Sequence, residues 1–390
     1  LLDAMIVIVL VFAVFVIALG LRLRRIYQQG HYGLWIPSYV KGAFTRAPDR
    51  EKRSGPLHII FVVADHFEPG RNRELLVTWL ERYYRVIGNH RDSFGNPPRR
   101  TLHFPIEQFY DEQIELLLPL CREGLAEIEM QLHHFDDDSE SVLAKYRKGL
   151  HEFARFGISQ TIDNPPLTRF AFVHGNWALD NSAAGQTPNP CGVNDEIRIL
   201  ASLGCFVDVT FSSVLTTSQP RRINSIYYVT DDPLKPKSYD DGVPVEVGKA
   251  PSGDLMLLQG PLLFNWRDWR SRVHPAVENG DIWAGYPLSP QRIPLWLKAN
   301  IHVLGQPNWV FVKLHAHGCR RADLDVLTGA SFDETLTALE TIYNDGQQYV
   351  LHHASVREAY NIIKAAEAGE TGNPESYRDY IVKPYRVNQG

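Results

Sequence analysis

Ala126-Glu127-Ile128-Glu129-Met130-Gln131-Leu132-His133 alternates without a break. A period of two is the signature of a β-strand, because successive side chains leave opposite faces. One face here carries Glu127, Glu129, Gln131 and His133. The other carries Ile128, Met130 and Leu132. A strand in an open parallel sheet covered on both sides reads apolar on both faces. A strand of a barrel can instead send polar groups inward near the mouth and apolar groups outward to the helices. The segment around Trp309–His315 repeats the pattern: Lys313, His315 and His317 alternate with Val312, Leu314 and Ala316. These two stretches predict a closed barrel.

Outward from the alternating stretch, strands and helices take turns. Strands are expected over Leu57–Ala64, Thr101–Phe104, Arg169–Val173, Cys205–Phe211, Asp254–Leu258 and Trp309–His315. Helices are expected over Glu74–Val86, Glu107–Arg122, from Asp136–Ser139 to about Phe156, and over Asn194–Leu203, Phe332–Asn344 and Val356–Ala368. Gly124, Gly204 and Gly369 stand where helix C-terminal glycines belong. About seven strands, each followed by a helix or a long loop, indicate parallel βαβ units. The fold class read from this is α/β, a distorted (β/α)7-type barrel of parallel strands. Two connections, Gly175–Val193 and Ser212–Gly253, are too long for plain connectors and are expected to rim a site.

Composition agrees with a large globular domain. The 390 residues are 44% hydrophobic and 22% charged, and a net charge of −5 gives no basic surplus of the kind nucleic-acid binders carry. Four cysteines (Cys121, Cys191, Cys205, Cys319) are too few for a disulfide framework and suit a reducing compartment.

The N-terminus has its own character. Ala4–Leu21 is uncharged, and eighteen helical residues reach roughly 27 Å, close to a bilayer core. Arg22, Arg24, Arg25, Lys41, Arg46, Arg50, Lys52 and Arg53 follow it, which by the positive-inside rule places the main domain in the cytoplasm. The organisation expected is a single-pass transmembrane anchor with basic flank over 1–25, a juxtamembrane connector over 26–56, a barrel domain over 57–370 and a tail over 371–390. The expected location is a bacterial inner (cytoplasmic) membrane. Trp35, Tyr39 and Phe44 are too apolar for a free linker and point to partial packing of the connector on the domain.

Chemistry-bearing residues gather at the strand ends. Asp65-His66-Phe67-Glu68 ends the first strand, and His133-His134-Phe135-Asp136-Asp137-Asp138 ends the alternating one. His174-Gly175-Asn176-Trp177 and His315-Ala316-His317-Gly318 end two more. Six of the 15 histidines thus fall at four strand ends, and βα barrels place their chemistry there. His and Asp together suit a zinc-type ion with three protein ligands and an open water position.

In the stretches VVADHFEP, EIEMQLHHFDDD, FVHGNWALDNS, CGVNDEIRILASLGCFVDVTFSS and WVFVKLHAHG, the chain resembles the polysaccharide deacetylase (NodB-homology) superfamily. More narrowly it looks like a divergent membrane-linked branch associated with bacterial exopolysaccharide synthesis. The resemblance covers about 57–368. It implies a (β/α)7 barrel and a metal-dependent hydrolase that removes N-acetyl groups from a polysaccharide or lipid-linked glycan. It further implies Asp65 as general base, His66, His133 and His134 as metal ligands, and His315 as acid. His66 stands where the family has a second acidic residue. The ligand histidines are adjacent here rather than spaced, and the family's Arg-Pro motif is replaced by His174-Gly175-Asn176-Trp177.

Adjacent strand residues face opposite ways. His133, which shares its face with Glu129 and Gln131, is therefore the favoured ligand, and Asp137 is an alternative to His134. His174, Asn176, Trp177 and His317 are the substrate-binding candidates. The aromatic group Phe264-Asn265-Trp266-Arg267-Asp268-Trp269 reads more as packing than as a glycan groove. The cofactor expected is a divalent transition metal, zinc first. The partners expected are a glycan substrate, the membrane and other exopolysaccharide synthesis proteins, with no nucleic acid. Two other functions fit the same residues. One is a glycosidase pairing Asp65 with Glu68 or Asp137, and the other is a non-catalytic glycan-binding or scaffold subunit.

Overall fold

The alternating stretch folds as a strand over Ala126–Leu132, and its two faces part as their chemistry requires. Ile128, Met130 and Leu132 join the outer core beneath the helices. Glu129 and Gln131 are buried on the other side, where Glu129 accepts the Ala171 N–H of the neighbouring strand (2.7 Å). The computed structural model describes residues 2–51, 53–158, 160–162, 167–268 and 275–387.

Its strands are β1 (Leu57–His66), β2 (Arg100–Pro105), β3 (Ala126–Leu132), β4 (Gln160–Ile162), β5 (Leu167–His174), β6 (Cys205–Asp208), β7 (Ile226–Val229), β8 (Val243–Pro244), β9 (Leu255–Leu258), β10 (Leu263–Asn265), β11 (Ala276–Glu278), β12 (Asp281–Ile282), β13 (Trp309–Ala316) and β14 (Tyr349–Ala354). Its helices are α1 (Leu2–Gln29), α2 (Tyr32–Glu51), α3 (Arg73–Ile87), α4 (Asp111–Arg122), α5 (Ser139–Arg155), α6 (Glu196–Ser202), α7 (Ile293–Ala299), α8 (Leu324–Thr328), α9 (Ala330–Ile342) and α10 (Val356–Glu367).

The architecture is α/β with one large, mostly parallel sheet. Strands β13, β1, β2, β3, β5, β6 and β9 lie side by side, each pair parallel. The sheet curls as a distorted barrel, but the ring is not closed by a ladder. Among the described residues β9 and β13 do not pair. The seam is crossed by a side chain instead. Lys313 of β13 is fully buried and donates from Nζ to the carbonyls of Val209 (2.8 Å) and Phe211 (2.7 Å), which follow β6. Burial lowers its ammonium to about 7, against the pull of Asp208. The closed barrel expected from the alternation is therefore an open one. Two polar strand faces mark an interior but do not determine whether the last two edges meet.

Apolar residues fill the lower half of the interior, among them Ile60, Val62, Ala171, Val173 and Val207. α10, buried on nearly all sides, plugs the bottom. β14, absent from the sequence reading, pairs with the first half of β1, and β2 takes the second half of the same edge.

Local signals explain the helix starts. Asp138 caps α5 by accepting the Ser141 N–H (2.8 Å), with Ser141 returning the bond. Ser355 and Glu358 form the same reciprocal box at α10. The helix expected from Glu107 begins later, at Asp111, after a short 3-10 turn over Ile106–Gln108. The long connection Ser212–Gly253 contains β7 and β8.

The segment 26–56, expected as a connector, is largely helical. Trp35 is fully buried, and it packs with Tyr32 and Tyr39 on Phe264. Phe44 is 77% exposed, so its share of the expected packing is not made. α1 is one continuous helix with exposed apolar side chains such as Met5, Phe12, Phe15 and Ile17. Among the described residues no helix is long and apolar enough to cross a membrane. The side chains of residues 1–4, 7 and 9 lie outside that description. Trp269 also lies outside the described residues. Residues of the expected tail pack on the barrel: Val382 is fully buried, and Arg378 donates to the His353 carbonyl (2.7 Å).

Candidate functional site

The strand ends build two separate clusters, one inside the barrel mouth and one outside the barrel wall. His133 and His134 divide between them.

In the mouth, His66 is the last residue of β1 and points inward. It is fully buried, and neither ring nitrogen has a hydrogen-bond partner. Burial, with His317 and His315 nearby, holds its pKa well below the ordinary histidine value, so the ring is neutral. Ligand atoms of His66, Glu68 and His317 lie within 4.8 Å of one another. Burial alone raises the Glu68 carboxyl, but bonds from His133 and Arg320 outweigh it and bring it to about 2. A neutral imidazole with unpaired nitrogens beside an ionised carboxylate fits a divalent transition ion, and a buried polar group without a partner is otherwise costly.

Around these three stand the other inward groups. His133 lies between Glu107 (Nδ1–Oε1 2.6 Å) and Glu68 (Nε2–Oε1 3.3 Å). Those two carboxylates overcome the lowering effect of burial and raise it to about 9. Gln131 donates to Glu68 (2.8 Å). His315 sits 3.5 Å from the Asp281 carboxylate, and its Nδ1 is unpartnered. Trp177 stacks on His66 with ring centroids 4.7 Å apart, and its edge meets His315 at 5.0 Å. Its backbone is left-handed (φ 62°), a conformation that costs a non-glycine residue about 1–2 kcal/mol. Gly175 permits the approach: a Cβ there would lie 2.5 Å from the His133 ring.

Asp65, expected as the base, is not in the mouth. It precedes His66 on the strand and so faces outward, where it pairs with buried Arg100 (3.1 Å) and accepts the Gly318 N–H. Its role in the structure is to anchor β1 and β13 to β2.

The second cluster lies outside β3 and β5. His134, His174, Cys191 and Glu196 are all fully buried or nearly so, and together they could hold a metal ion. His134 Nε2 is 3.1 Å from Glu196 Oε1 and 3.0 Å from His174 Nε2. Burial holds His174 neutral, at about 3, and pushes the Cys191 thiol up. Asp137, the expected alternative ligand, stands behind His134. It holds the outer nitrogen of His134 (3.0 Å) and is itself held by Ser141 and Lys145. Asn176, expected to bind substrate, donates to the carbonyls of His134 (2.8 Å) and Pro190 (3.2 Å) and so ties down its own loop.

The structure therefore joins His66, His133, Trp177, His315 and His317 in one place and sends Asp65, His134, His174, Asn176 and Asp137 elsewhere. The sequence reading missed Cys191 and Glu196 as members of the outer cluster, and Glu107 and Asp281 as the carboxylates beside His133 and His315. Cys191 and Glu196 are five positions apart, but the histidine that Glu196 meets is 62 positions away and the one that Glu107 meets is 26, and no spacing rule connects them.

No family model matches the chain, and no curated protein matches it. Among solved structures it is similar to the 4-alpha-glucanotransferase of Thermococcus litoralis, at 13% identity and a TM-score of 0.33, over 84% of this chain and 47% of that one. The chain spans about half the length of that enzyme, and a likeness this shallow assigns neither family nor activity.

Proposed function

We propose that this protein is a metal-dependent hydrolase that removes N-acetyl groups from a glycan, working in the barrel mouth. The observation that carries the reading is His66: buried at a strand end, neutral, with both nitrogens free, and grouped with Glu68 and His317. The motif resemblance to polysaccharide deacetylases supports the reaction class.

His66, Glu68 and His317 would hold a divalent transition ion, with zinc suited to this donor set; its chemistry is polarisation of the amide and acidification of water. His315, which burial and nearby Lys313 hold well below the ordinary histidine value and so neutral, would take the proton of the attacking water beside Asp281. His133, held protonated at about 9 by Glu107 and Glu68, would give its proton to the leaving amine. Trp177 forms one wall and shields His66 from solvent. The glycosidase alternative loses both of its expected pairs, because Asp65 faces the outer core and Asp137 serves His134.

The test is acetate release from N-acetylated oligosaccharides by the full chain, with and without chelator. Chelator-sensitive acetate, lost in His66→Ala, supports the reading. New reducing ends without acetate would favour glycoside cleavage. Neither product across a panel of glycans would favour a binding or scaffold role.

For location we propose attachment to the cytoplasmic membrane through α1, with the barrel on the cytoplasmic side beside other exopolysaccharide synthesis proteins. The support is the uncharged run Ala4–Leu21, its basic flank and the exposed side chains of α1. Recovery of the full chain in a washed membrane fraction is expected, and recovery in the supernatant would overturn it.

A further inference from the structure

We propose that His134, Cys191 and Glu196 form a second metal centre, a buried thiolate-ligated structural site that fixes the wall of the barrel mouth. This inference does not depend on the reaction proposed above.

The first argument is convergence. Cys191 Sγ lies 3.5 Å from Glu196 Oε2, and Glu196 Oε1 lies 3.1 Å from His134 Nε2. Ligands set 2.0–2.3 Å from a tetrahedral zinc ion stand about 3.3–3.6 Å apart. The two contacts use different oxygens of one carboxylate, and ligand atoms of His134, Cys191 and Glu196 all lie within 4.8 Å of one another, close enough for one ion to draw together.

The second argument is charge. Glu196 is fully buried and, among the described residues, has no lysine or arginine partner; it accepts from Tyr146 Oη (2.6 Å), the Asp180 N–H (2.7 Å) and Cys191 Sγ (3.5 Å), and its Oε1 stands 3.1 Å from His134 Nε2 and 3.6 Å from His174 Nε2. A carboxylate taken out of water needs a cation or a proton.

The third argument is the shell behind the ligands. The outer nitrogen of His134 is held by Asp137, which orients the ring so that the inner nitrogen presents its lone pair. Cys191 Sγ accepts the N–H groups of Asn181 (3.3 Å) and Val193 (3.4 Å), which suit a thiolate. His174 is different. Its Nδ1 accepts the N–H groups of Asn176 (3.2 Å) and Ala178 (3.3 Å), so its Nε2 carries the ring proton. His174 closes the fourth side as a hydrogen-bond donor and not as a ligand. In the absence of an ion, its proton bridges to His134 Nε2 at 3.0 Å.

Binding would release the Cys191 thiol proton to solvent and leave sulfur bonded to the metal. The consequence reaches the mouth through one loop. Cys191 ends the long loop after β5, and Trp177, near its start, stacks on His66. Pinning Cys191 to His134 of the β3 end and Glu196 of α6 sets where that loop can lie.

The experiment is cobalt substitution of the full chain, followed by absorption spectroscopy. The mouth cluster has no sulfur, so a near-ultraviolet sulfur-to-cobalt charge-transfer band reports Cys191 alone. We expect one cobalt with this band in the wild type and in His66→Ala, loss of the band in Cys191→Ser, and its retention in His174→Gln. Native metal content should fall by one equivalent in Cys191→Ser and by a different one in His66→Ala. A wild-type chain that binds cobalt without the band overturns the proposal and leaves a hydrogen-bonded relay; because this outcome needs no variant, misfolding of Cys191→Ser cannot obscure it. Loss of the band in His174→Gln, with the variant folded, would also overturn the set of three ligands.

Discussion

His133 and His134 are neighbours in the chain, yet they occupy different chemical worlds. One is part exposed in the barrel mouth, between Glu107 and Glu68; the other is sealed outside the wall with Cys191 and Glu196. The pleat separates them. The same separation divides Asp65 from His66 one strand pair away. A linear motif such as Asp-His or His-His therefore names two places, and assigning both members to one metal ion joins what the backbone keeps apart. The mouth is polar, water-accessible and short of hydrogen-bond partners. The outer cage is dry and saturated with them. The first arrangement suits turnover, and the second suits holding.

The largest effect that would sharpen this contrast is on the mouth. His66→Ala should lower glycan hydrolysis by at least roughly a thousandfold, as loss of a metal ligand at a catalytic centre does, while the melting temperature stays close to that of the wild type. A variant with near-normal acetate release would break the assignment of the mouth as the catalytic side.

Next comes Asp65. If it anchors the outer core, Asp65→Asn leaves Arg100 buried and unpaired, and stability should fall by about 3–5 kcal/mol. Activity per folded molecule should persist. Denaturant unfolding beside a specific-activity assay separates this from a general base, whose removal would spare stability and abolish turnover.

A smaller effect is expected at Gly175. The added methyl of Gly175→Ala meets the His133 ring at 2.5 Å, and overpacking of this kind costs about 1–3 kcal/mol. Displacement of His133 should reduce kcat by about tenfold, leaving the cobalt charge-transfer band of the outer cage unchanged. Loss of that band would show that the two clusters move together.

The smallest effect lies at the bottom of the barrel, away from both. Glu375 is half-buried, which by itself raises its carboxyl, but His352 and Arg378 outweigh burial and bring it to about 2. A folded pKa below the unfolded value, about 4.3, stabilises fully above that value, and the contribution is lost as pH falls toward 2. Glu375→Gln should flatten the acid limb of the unfolding midpoint between those pH values and leave the neutral region unaffected in slope. An unchanged acid limb would remove Glu375 from the account.

The sequence was sufficient for the parallel strands, most helices and the inward polar face of β3, because these follow from periodicity and from local capping by residues such as Asp138 and Ser355. It also sufficed to place six histidines at strand ends. The curl and open seam of the sheet were decided by tertiary structure, through the reach of Lys313 across the gap. So was β14, whose pairing with half an edge of β1 leaves no local mark. So too was the division of the histidines. His134 meets Glu196 across 62 positions and His66 meets His317 across a much longer stretch of chain. Contacts of that kind are set by how strands and loops pack, and an alternation rule, which sees only neighbours, can say which face a side chain leaves from but not what awaits it there.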